Sequence, residues 1–329
     1  MKKLLTIIAL AISAMTVMAE EFKIGKLTFE IETPTTVGLI DADEDITKLF
    51  LSETIDYEGN GYTLTYIGSW AFWDCSSLTS VTIPNSVTSI GSGAFYGTAL
   101  YENPSNWENG ALYINDCLVK VDNGFAGHFR IKENTQVMSD GAFAGCSALT
   151  SVSMPNSVTY IGDRAFYDCY SLTSLSIPNG VKEIGWATFK DCSALTSVTI
   201  PNSVTSIGGS AFFGCKSLTS ITILAGVTSI GEGAFSGCLS LTDITIPESV
   251  TSIGGSAFSG CKSLTSVTIP ASVTSIAAQA FYDCLELQTI NYTGTKKQWK
   301  SVLNTSSMIE PKKIVVVHCT DGKLKLKGK

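Results

Sequence analysis

The chain has 329 residues and a formal net charge of −7, and 16% of its residues are charged while 44% are hydrophobic. A chain with so few charged residues and a net negative charge lacks the cations that neutralise phosphates, so nucleic-acid binding through phosphate contacts is excluded. The chain contains two histidines, His128 and His318, so few residues could form an acid–base or zinc site. We therefore expect no enzyme activity, no metal site, no cofactor and no nucleic-acid partner.

Residues 1–19 have the pattern of a secretory signal peptide. Lys2 and Lys3 precede an apolar run from Leu4 to Met18, and Ala19 is a small residue before the acidic segment that follows. A membrane anchor is the alternative, but the run is short for a span and no stop-transfer pattern follows it. No other stretch is long enough to cross a bilayer. We expect a protein that is secreted, periplasmic or held at the cell surface after removal of this peptide.

Residues 20–66 differ from the rest of the chain in charge. Eleven acidic residues stand against three lysines in residues 20–58, and the acidic run at 41–45 lacks the full ligand series of a calcium loop. The segment from Leu49 to Ile55 resembles one unit of the repeat that follows it. We predict that residues 20–66 form an N-terminal cap on a stack of repeats.

Residues 67–293 repeat with a fixed period. Seven cysteines are spaced 23 residues apart, and the residues around them recur as well: Cys146, Cys169, Cys192, Cys215, Cys238, Cys261 and Cys284. A self-similar period between 20 and 50 residues is typical of a solenoid, in which each unit buries its apolar face only against its neighbours. The sequence therefore predicts a curved rod of stacked 23-residue coils.

Each unit contains two short strands and a turn. The alternating run at 198–200 predicts a strand with one buried face, which Pro201 ends. Val204 and Ile207 predict a shorter second strand, and we expect Gly208 after it to turn the chain at positive φ. A phenylalanine three residues before each cysteine, as at Phe212, follows within a helical or 3₁₀ turn. These phenylalanines should stack ring on ring inside the coil.

The period is interrupted once, between Thr98 in the cysteine column and Cys146. The interval is two periods plus two residues, and its apolar runs at 112–114 and 118–121 predict two further strands. We interpret residues 99–141 as a coil that carries an insertion and not as a domain boundary.

Ten cysteines in an exported protein ordinarily indicate disulfides. Eight of them, however, share one column of the repeat, where parallel Cβ vectors hold neighbouring sulfurs apart. We therefore expect a ladder of small buried thiols. Cys117 and Cys319 lie outside the column and could pair or remain free.

Residues 294–329 are predicted to form a C-terminal cap and a basic tail. Nine lysines stand against two acidic residues in 296–329. Docking on an anionic envelope or partner is one interpretation, and a solvated tail is the favoured one.

Two sets of outward residues are candidate binding positions. One is the row of polar residues between the buried strand positions. The other is a set of aromatic residues at variable positions, which either follow the phenylalanine column directly or replace small or polar residues in their columns. The first contains Ser197, Thr199, Ser220, Thr222 and Asp243, and the second Tyr160, Tyr167, Tyr170, Trp186 and Phe213. A solvated strand face is the favoured explanation of the first set, and packing on a neighbouring coil explains the second at least as well as binding does.

The repeat Leu-x-x-Val-x-Ile-Pro-x-x-Val-x-x-Ile-Gly-x-x-Ala-Phe-x-x-Cys resembles the BspA-like, or Treponema-type, leucine-rich repeats of bacterial surface proteins. The resemblance covers Ile67 to Tyr292. It implies a leucine-rich-repeat solenoid that is exported or displayed, adhesion to host extracellular proteins or other microbes, and no shared catalytic residues. The chain departs from the family in having no evident cell-wall sorting signal or lipid site.

Together these features predict an exported, non-catalytic leucine-rich-repeat binding protein, an adhesin or scaffold. Its expected partners are host extracellular matrix or microbial surface proteins, bound through the solenoid surface. Glycan binding through the aromatic positions is the alternative. An enzyme formed by the inserted segment ranks last, because that segment offers no acid–base cluster.

Overall fold

The computed structural model describes residues 20–302, 308–310 and 313–328, so the predicted signal peptide at 1–19 lies outside the described residues. The chain coils into a β-solenoid of about 12 turns. Two columns of short parallel strands run along it, one on each side of the coil. The predicted solenoid of 23-residue repeats is confirmed.

The acidic N-terminal segment supplies strands to the first coils. The first eight strands are β1 (Glu21–Ile24), β2 (Leu27–Thr33), β3 (Thr36–Ala42), β4 (Lys48–Phe50), β5 (Thr54–Tyr57), β6 (Asn60–Ile67), β7 (Ser80–Thr82) and β8 (Ser89–Ile90). The β1–β2, β2–β3 and β5–β6 pairs are antiparallel, whereas β3–β6, β6–β8 and β4–β7 are parallel. Because Leu49 lies opposite Val81, the segment from Leu49 begins like a repeat unit, as the sequence indicates. This arrangement supports our proposal that residues 20–66 cap the stack.

The insertion forms a hairpin that runs through the coil. Its elements are α1 (Ala99–Glu102), a 3₁₀ turn (Pro104–Asn106), β9 (Trp107–Glu108), β10 (Ala111–Ile114) and β11 (Cys117–Val121), followed by β12 (Gly127–Arg130) and β13 (Val137–Met138). Leu112 and Val119 belong to the apolar core on the N-terminal side, and Leu118 and Val121 to the core on the C-terminal side. The predicted strands at 112–114 and 118–121 are confirmed, and the hairpin separates two apolar cores.

The regular coils follow. Their strands are β14 (Leu149–Ser153), β15 (Tyr160–Ile161), β16 (Ser174–Ser176), β17 (Glu183–Ile184), β18 (Ser197–Thr199), β19 (Ser206–Ile207), β20 (Ser229–Ile230), β21 (Asp243–Thr245), β22 (Ser252–Ile253), β23 (Ser266–Ile269) and β24 (Ser275–Ile276). The longer strands pair parallel in one column and the two-residue strands pair parallel in the other. Equivalent residues are opposite each other, so Ser206 faces Ser229.

The phenylalanines form the expected column. Six neighbouring ring pairs from Phe143 to Phe281 have centroids 4.9 to 5.4 Å apart and interplanar angles of at most 14°. Phe72 and Phe95 stack in the same way on the N-terminal side. The hairpin interrupts the column between Phe95 and Phe143. Each of these rings is fully buried, and burial of such a side chain stabilises a fold by about 1.5–3 kcal/mol.

The cysteine column is a ladder of thiols. Cys238 Sγ donates to the carbonyl oxygen of Phe212 in the preceding coil at 3.3 Å, and the same contact recurs from Cys169 to Cys284. All ten cysteines are free, and only Cys319 is partly exposed. Burial raises the pKa of the Cys238 thiol to about 12, which disfavours the reactive thiolate.

The expectation that the repeated glycine takes positive φ is wrong. Gly208 and Gly231 have no positive φ; instead, a Cβ on Gly231 would lie 2.6 Å from the backbone of Gly208 in the preceding coil. The glycine is required by close approach of neighbouring coils. Positive φ occurs two residues later, where Ser210 has φ +54°, and again just before each cysteine, where Asp191 has φ +60°.

The C-terminal segment adds strands and one helix after the last regular coil. Its elements are β25 (Thr289–Tyr292), α2 (Lys296–Val302), β26 (Ile314–Cys319) and β27 (Gly322–Lys327). β26 continues the column parallel to β25, and β27 pairs antiparallel with β26 at the edge of the sheet. Lys323, Lys325 and Lys327 therefore lie on an edge strand and not in a solvated tail. Lysines at such an edge oppose pairing with a further strand.

We predict that Gly231→Ala destabilises the solenoid by about 1–3 kcal/mol, since the added methyl group would overlap the backbone of the coil beneath it. Gly255→Ala is the matched control, because the nearest atom to its added Cβ is 3.4 Å away. Chemical denaturation followed by circular dichroism measures both variants. Equal midpoints for the two would contradict the close-approach explanation.

We also predict that thiol titration of the native protein at pH 8 detects Cys319 alone, whereas titration in denaturant detects ten thiols. The buried column is inaccessible and its thiols are held protonated by burial. Mass spectrometry after alkylation without reductant supplies the count. Four or five disulfides would refute the thiol ladder.

Candidate functional site

A cleft opens on the surface where the hairpin interrupts the stack. It has a volume of about 520 Å³ and lies between the turn at 91–96 and the turn at 139–144. Its lining includes Tyr96, Tyr101, Lys120, Asp140, Arg164 and Tyr167. Of the candidate positions from the sequence, Tyr167 lines this cleft and Tyr160 contacts its carboxylate, as described below.

One wall of the cleft is an edge of backbone donors. In a regular coil three turn N–H groups donate to the next coil: those of Arg164, Phe166 and Asp168 to the carbonyls of Trp186, Thr188 and Lys190, at 2.8–3.0 Å. The equivalent N–H groups before the hairpin are those of Gly93 and Phe95, which line the cleft, and of Gly97, which follows the lining residue Tyr96 in the chain. Among the described residues, none of these three has a hydrogen-bond acceptor.

In the opposite wall, residues of the hairpin donate hydrogen bonds to the backbone carbonyls. Val121 N–H donates to the carbonyl of Ala142 at 2.7 Å. The Lys120 ammonium donates to the carbonyls of Gly141 and Ala144 at 3.1 and 2.9 Å. Lys120 thus occupies the place of the N–H that binds the equivalent carbonyl in a regular coil, and burial lowers the pKa of its ammonium.

Asp140 is the carboxylate of the cleft. Its Oδ1 accepts the N–H of Asp163 at 2.9 Å and the hydroxyl of Tyr160 at 3.3 Å. Burial raises the pKa of this carboxyl to about 6, and the charge of Asp163 adds to the shift. Tyr160 is half-buried, so its hydroxyl orients Asp140 and its ring packs within the coil.

A strip of aromatic and cationic side chains continues from the cleft along the neighbouring coils. Lys190 Nζ lies 5.5 Å from the ring centroid of Tyr167 and 5.0 Å from that of Phe213. The Arg164 guanidinium lies 4.2 Å from the ring centroid of Trp186. Such pairs contribute about 0.5–1 kcal/mol each at exposed sites. We name Arg164, Tyr167, Trp186, Lys190 and Phe213 the aromatic strip.

The aromatic side chains of the strip pack against neighbouring residues and remain partly exposed to solvent. Trp186 lies against Arg164 and Gly209, yet 44% of its surface remains exposed, and Phe213 is 36% exposed. Tyr170, in the same coil as Trp186, is 47% exposed. The aromatic candidates from the sequence thus pack on neighbouring coils and still present surface.

The polar row on the longer strands is exposed, as expected, but it is not one continuous ladder. Ser197 and Thr199 pair with the coil before them through β18. Thr222 makes only a single bridge to Thr199, and Ser220 lies in no strand. The ladder resumes at Asp243 in β21, so two sheets meet at this coil. This coil also departs from the repeat at 224–226, where Leu-Ala-Gly replaces Pro-Asn-Ser.

His128 extends the same row, a placement that spacing alone could have indicated because Ser151 follows it by one period. Its Nδ1 lies 2.7 Å from Ser151 Oγ and its Nε2 lies 3.1 Å from Ser153 Oγ. Both ring nitrogens therefore contact serine hydroxyls, and neither contacts a carboxylate that would orient the imidazole as in a catalytic triad. The 2.7 Å contact between Ser151 Oγ and His128 Nδ1 has the distance of a nucleophile–base pair, but among the described residues no third group orients the exposed imidazole.

The residues that the structure describes contain no group of three or more metal-ligating side chains. Within the same part of the chain no helix has the length and apolar character of a membrane span.

We predict that Asp140→Asn stabilises the protein at pH 7.5 by about 1 kcal/mol and leaves its stability unchanged at pH 4. The folded-state pKa lies above the unfolded value, so the native carboxyl is favourable when protonated, and this contribution is lost as the pH rises through about 6. Because the site is partly open to solvent, the full shift is not realised as stability. Thermal denaturation at both pH values tests this, and a variant that is less stable at pH 7.5 would contradict it.

Several solved structures of bacterial leucine-rich repeat proteins resemble this chain. A protein from Bacteroides ovatus is 26% identical over 82% of this chain and 70% of its own, with a TM-score of 0.46. A leucine rich cell surface protein from Faecalibacterium prausnitzii is 24% identical over 88% of this chain and 98% of its own, with a TM-score of 0.42. The search of curated proteins found no match.

The sequence profile described as "BspA type Leucine rich repeat region" matches six copies in residues 51–110, 125–238 and 182–309. These ranges contain the strand columns, the phenylalanine column and the thiol ladder. The chain therefore belongs to the BspA-type leucine-rich repeat family.

Proposed function

We propose that this protein is an exported, non-catalytic binding protein, an adhesin or scaffold for host extracellular matrix or microbial surface proteins. The inner columns of the stacked coils are buried against one another. The outer columns are free to vary, and they supply the contact surface. Residues 1–19, predicted to be a signal peptide, are the basis for export.

The aromatic strip is the observation that carries this proposal. Large aromatic and arginine side chains are the residues that contribute most to protein interfaces, particularly when they are held in place by neighbours. In the strip, Lys190 and Arg164 fix the aromatic rings while leaving part of each ring exposed. In later coils Ser236 and Ser259 occupy the column of Tyr167 and Phe213, so packing of the coil does not demand aromatic residues there.

Two further observations support a non-catalytic, surface-located protein. His128 contacts two serine hydroxyls, and among the described residues it has no carboxylate partner that would orient it for base catalysis. The similar Faecalibacterium prausnitzii protein is described as a leucine rich cell surface protein.

Glycan binding is the alternative, favoured by the exposure of Tyr170 and Trp186 in one coil. Aromatic rings with a free face and nearby hydrogen-bond donors suit a sugar. One face of Trp186, however, is covered by Arg164. A glycan array with wild-type protein and Tyr170→Ser decides this alternative.

We predict that Tyr167→Ser and Phe213→Ser each weaken binding to a purified matrix or bacterial-surface protein by about 5- to 30-fold, which corresponds to about 1–2 kcal/mol of binding free energy lost on truncation of an interface side chain. Serine is the natural residue of this column in two other coils, so these variants should fold. Tyr282→Ser, in the same column but distant from the strip, is the matched control. Surface plasmon resonance at two salt concentrations against a defined panel is the measurement.

Failure of the wild-type chain to bind any panel member, protein or glycan, would refute the adhesin role. Equal losses for Tyr282→Ser and Phe213→Ser would refute the assignment to the aromatic strip.

A further inference from the structure

In regular coils, a row of hydrogen bonds joins the turn N–H groups of one coil to carbonyls of the next. The hairpin interrupts this row, and the N–H groups at its end form the donor edge of the cleft. Gly93 and Gly97 have φ +64° and +80°, the same left-handed conformation as the equivalent residues Arg164 and Asp168. Their N–H groups therefore point the same way as those that join regular coils. The carbonyls of Ser92 and Ala94 are already used, because they accept from Trp70 and Phe72 of the preceding coil. What remains on the cleft side is an edge of donors alone.

A second polar group in the cleft lacks a partner. Ser139 lines the cleft and is only 2% exposed, and its hydroxyl has no hydrogen-bond partner among the described residues. Buried polar groups are almost always hydrogen-bonded in proteins, so exceptions of this kind require an explanation. This hydroxyl adds to the unsatisfied hydrogen-bonding capacity of the donor edge.

The charges of the cleft favour an anionic occupant. Its described lining contains the cations Lys120 and Arg164 and one carboxylate, Asp140. Backbone N–H groups without an acceptor carry partial positive charge, so they attract the oxygen atoms of an anion or of a carbonyl group. The positive character is local, since the chain as a whole has a net charge of −7.

We propose that this cleft binds an extended acidic peptide segment of a partner protein. Peptide carbonyls accept the N–H groups of Gly93, Phe95 and Gly97, and acidic side chains face Lys120 and Arg164. The proposal rests on the protein-binding function proposed above, and it names the chemistry of one partner segment and its place in the fold.

The spacing of the donors favours a peptide. In regular coils the acceptors of this edge are main-chain carbonyls two residues apart, as at Trp186, Thr188 and Lys190. An extended peptide presents the carbonyls of alternate residues along one edge, which is how peptides add to an open ladder. The volume of about 520 Å³ is within the range of binding clefts.

Amide hydrogen exchange and ¹⁵N–¹H chemical shifts test the contact directly. In the free protein we expect the Gly93 and Gly97 amides to exchange at least tenfold faster than those of Gly233 and Gly237, which occupy the same columns and donate to the next coil. A (Glu-Thr)₄ peptide should shift and protect the Gly93 and Gly97 amides, and a (Gln-Thr)₄ peptide should do so more weakly. Slow exchange in the free protein, or no response to (Glu-Thr)₄ at millimolar concentration, overturns the proposal.

Arg164→Gln tests the charge. Gln279 occupies the equivalent column with φ +59°, so glutamine is compatible with this backbone. The variant should weaken binding of (Glu-Thr)₄ by ~3-fold, typical of one partly exposed ion pair, and Lys182→Gln on an exposed position should not. Equal affinities for wild type and Arg164→Gln at low salt count against the site.

The outcomes separate this proposal from the function on which it rests. If (Glu-Thr)₄ protects the Gly93 and Gly97 amides but no protein of the panel binds, the cleft assignment stands and the adhesin role fails. If panel proteins bind wild type and Arg164→Gln equally, with no change at these amides, the adhesin role stands and the cleft assignment fails. If an acidic trisaccharide protects these amides and the peptide does not, the occupant of the cleft is a glycan and the peptide proposal fails.

Discussion

The whole structure depends on main-chain hydrogen bonds between successive coils at a nearly constant separation. Each coil is too thin to bury its own apolar residues. These residues are buried only when the next coil packs directly against them. The repeated glycine allows the turn of one coil to approach the backbone of the previous one, and the phenylalanine and cysteine columns fill the space that this approach encloses. A methyl group at the glycine position therefore destabilises the fold because it overlaps the backbone of the preceding coil. A smaller side chain in the phenylalanine column destabilises it because a cavity is left in the core.

Repetition made the architecture predictable. A residue that recurs at the same register in seven coils must occupy the same environment in each, so the buried faces of the strands, the phenylalanine column and the free thiols followed from the sequence alone. The role of glycine could not be derived in that way. Sequence indicates that glycine is required after Ile207 or Ile230 but not whether φ or space imposes the requirement, and the structure shows that it is space.

The candidate site was predictable only in part. Tyr167, Trp186 and Phe213 were recognisable because they replace smaller residues in repeated columns. Lys120 and Asp140 were not, since they lie in the insertion or beside it, where no neighbouring coil supplies a comparison. The one available signal was the interval from Thr98 to Cys146, which exceeds two periods by two residues. A stack cannot absorb such an excess without losing contacts between two coils.

The candidate binding residues lie beside the place where contacts between coils are lost, and there is a physical reason for this position. Within the regular coils, backbone donors and acceptors satisfy one another, so the surface differs from coil to coil only in its side chains. At the hairpin, Lys120 and Val121 satisfy the carbonyls of one wall, while the donors of the other wall keep their hydrogen-bonding capacity. The aromatic strip begins at this place, because Arg164 and Tyr167 belong both to the cleft lining and to the strip. A partner that contacts both would combine main-chain recognition in the cleft with side-chain recognition along the rod.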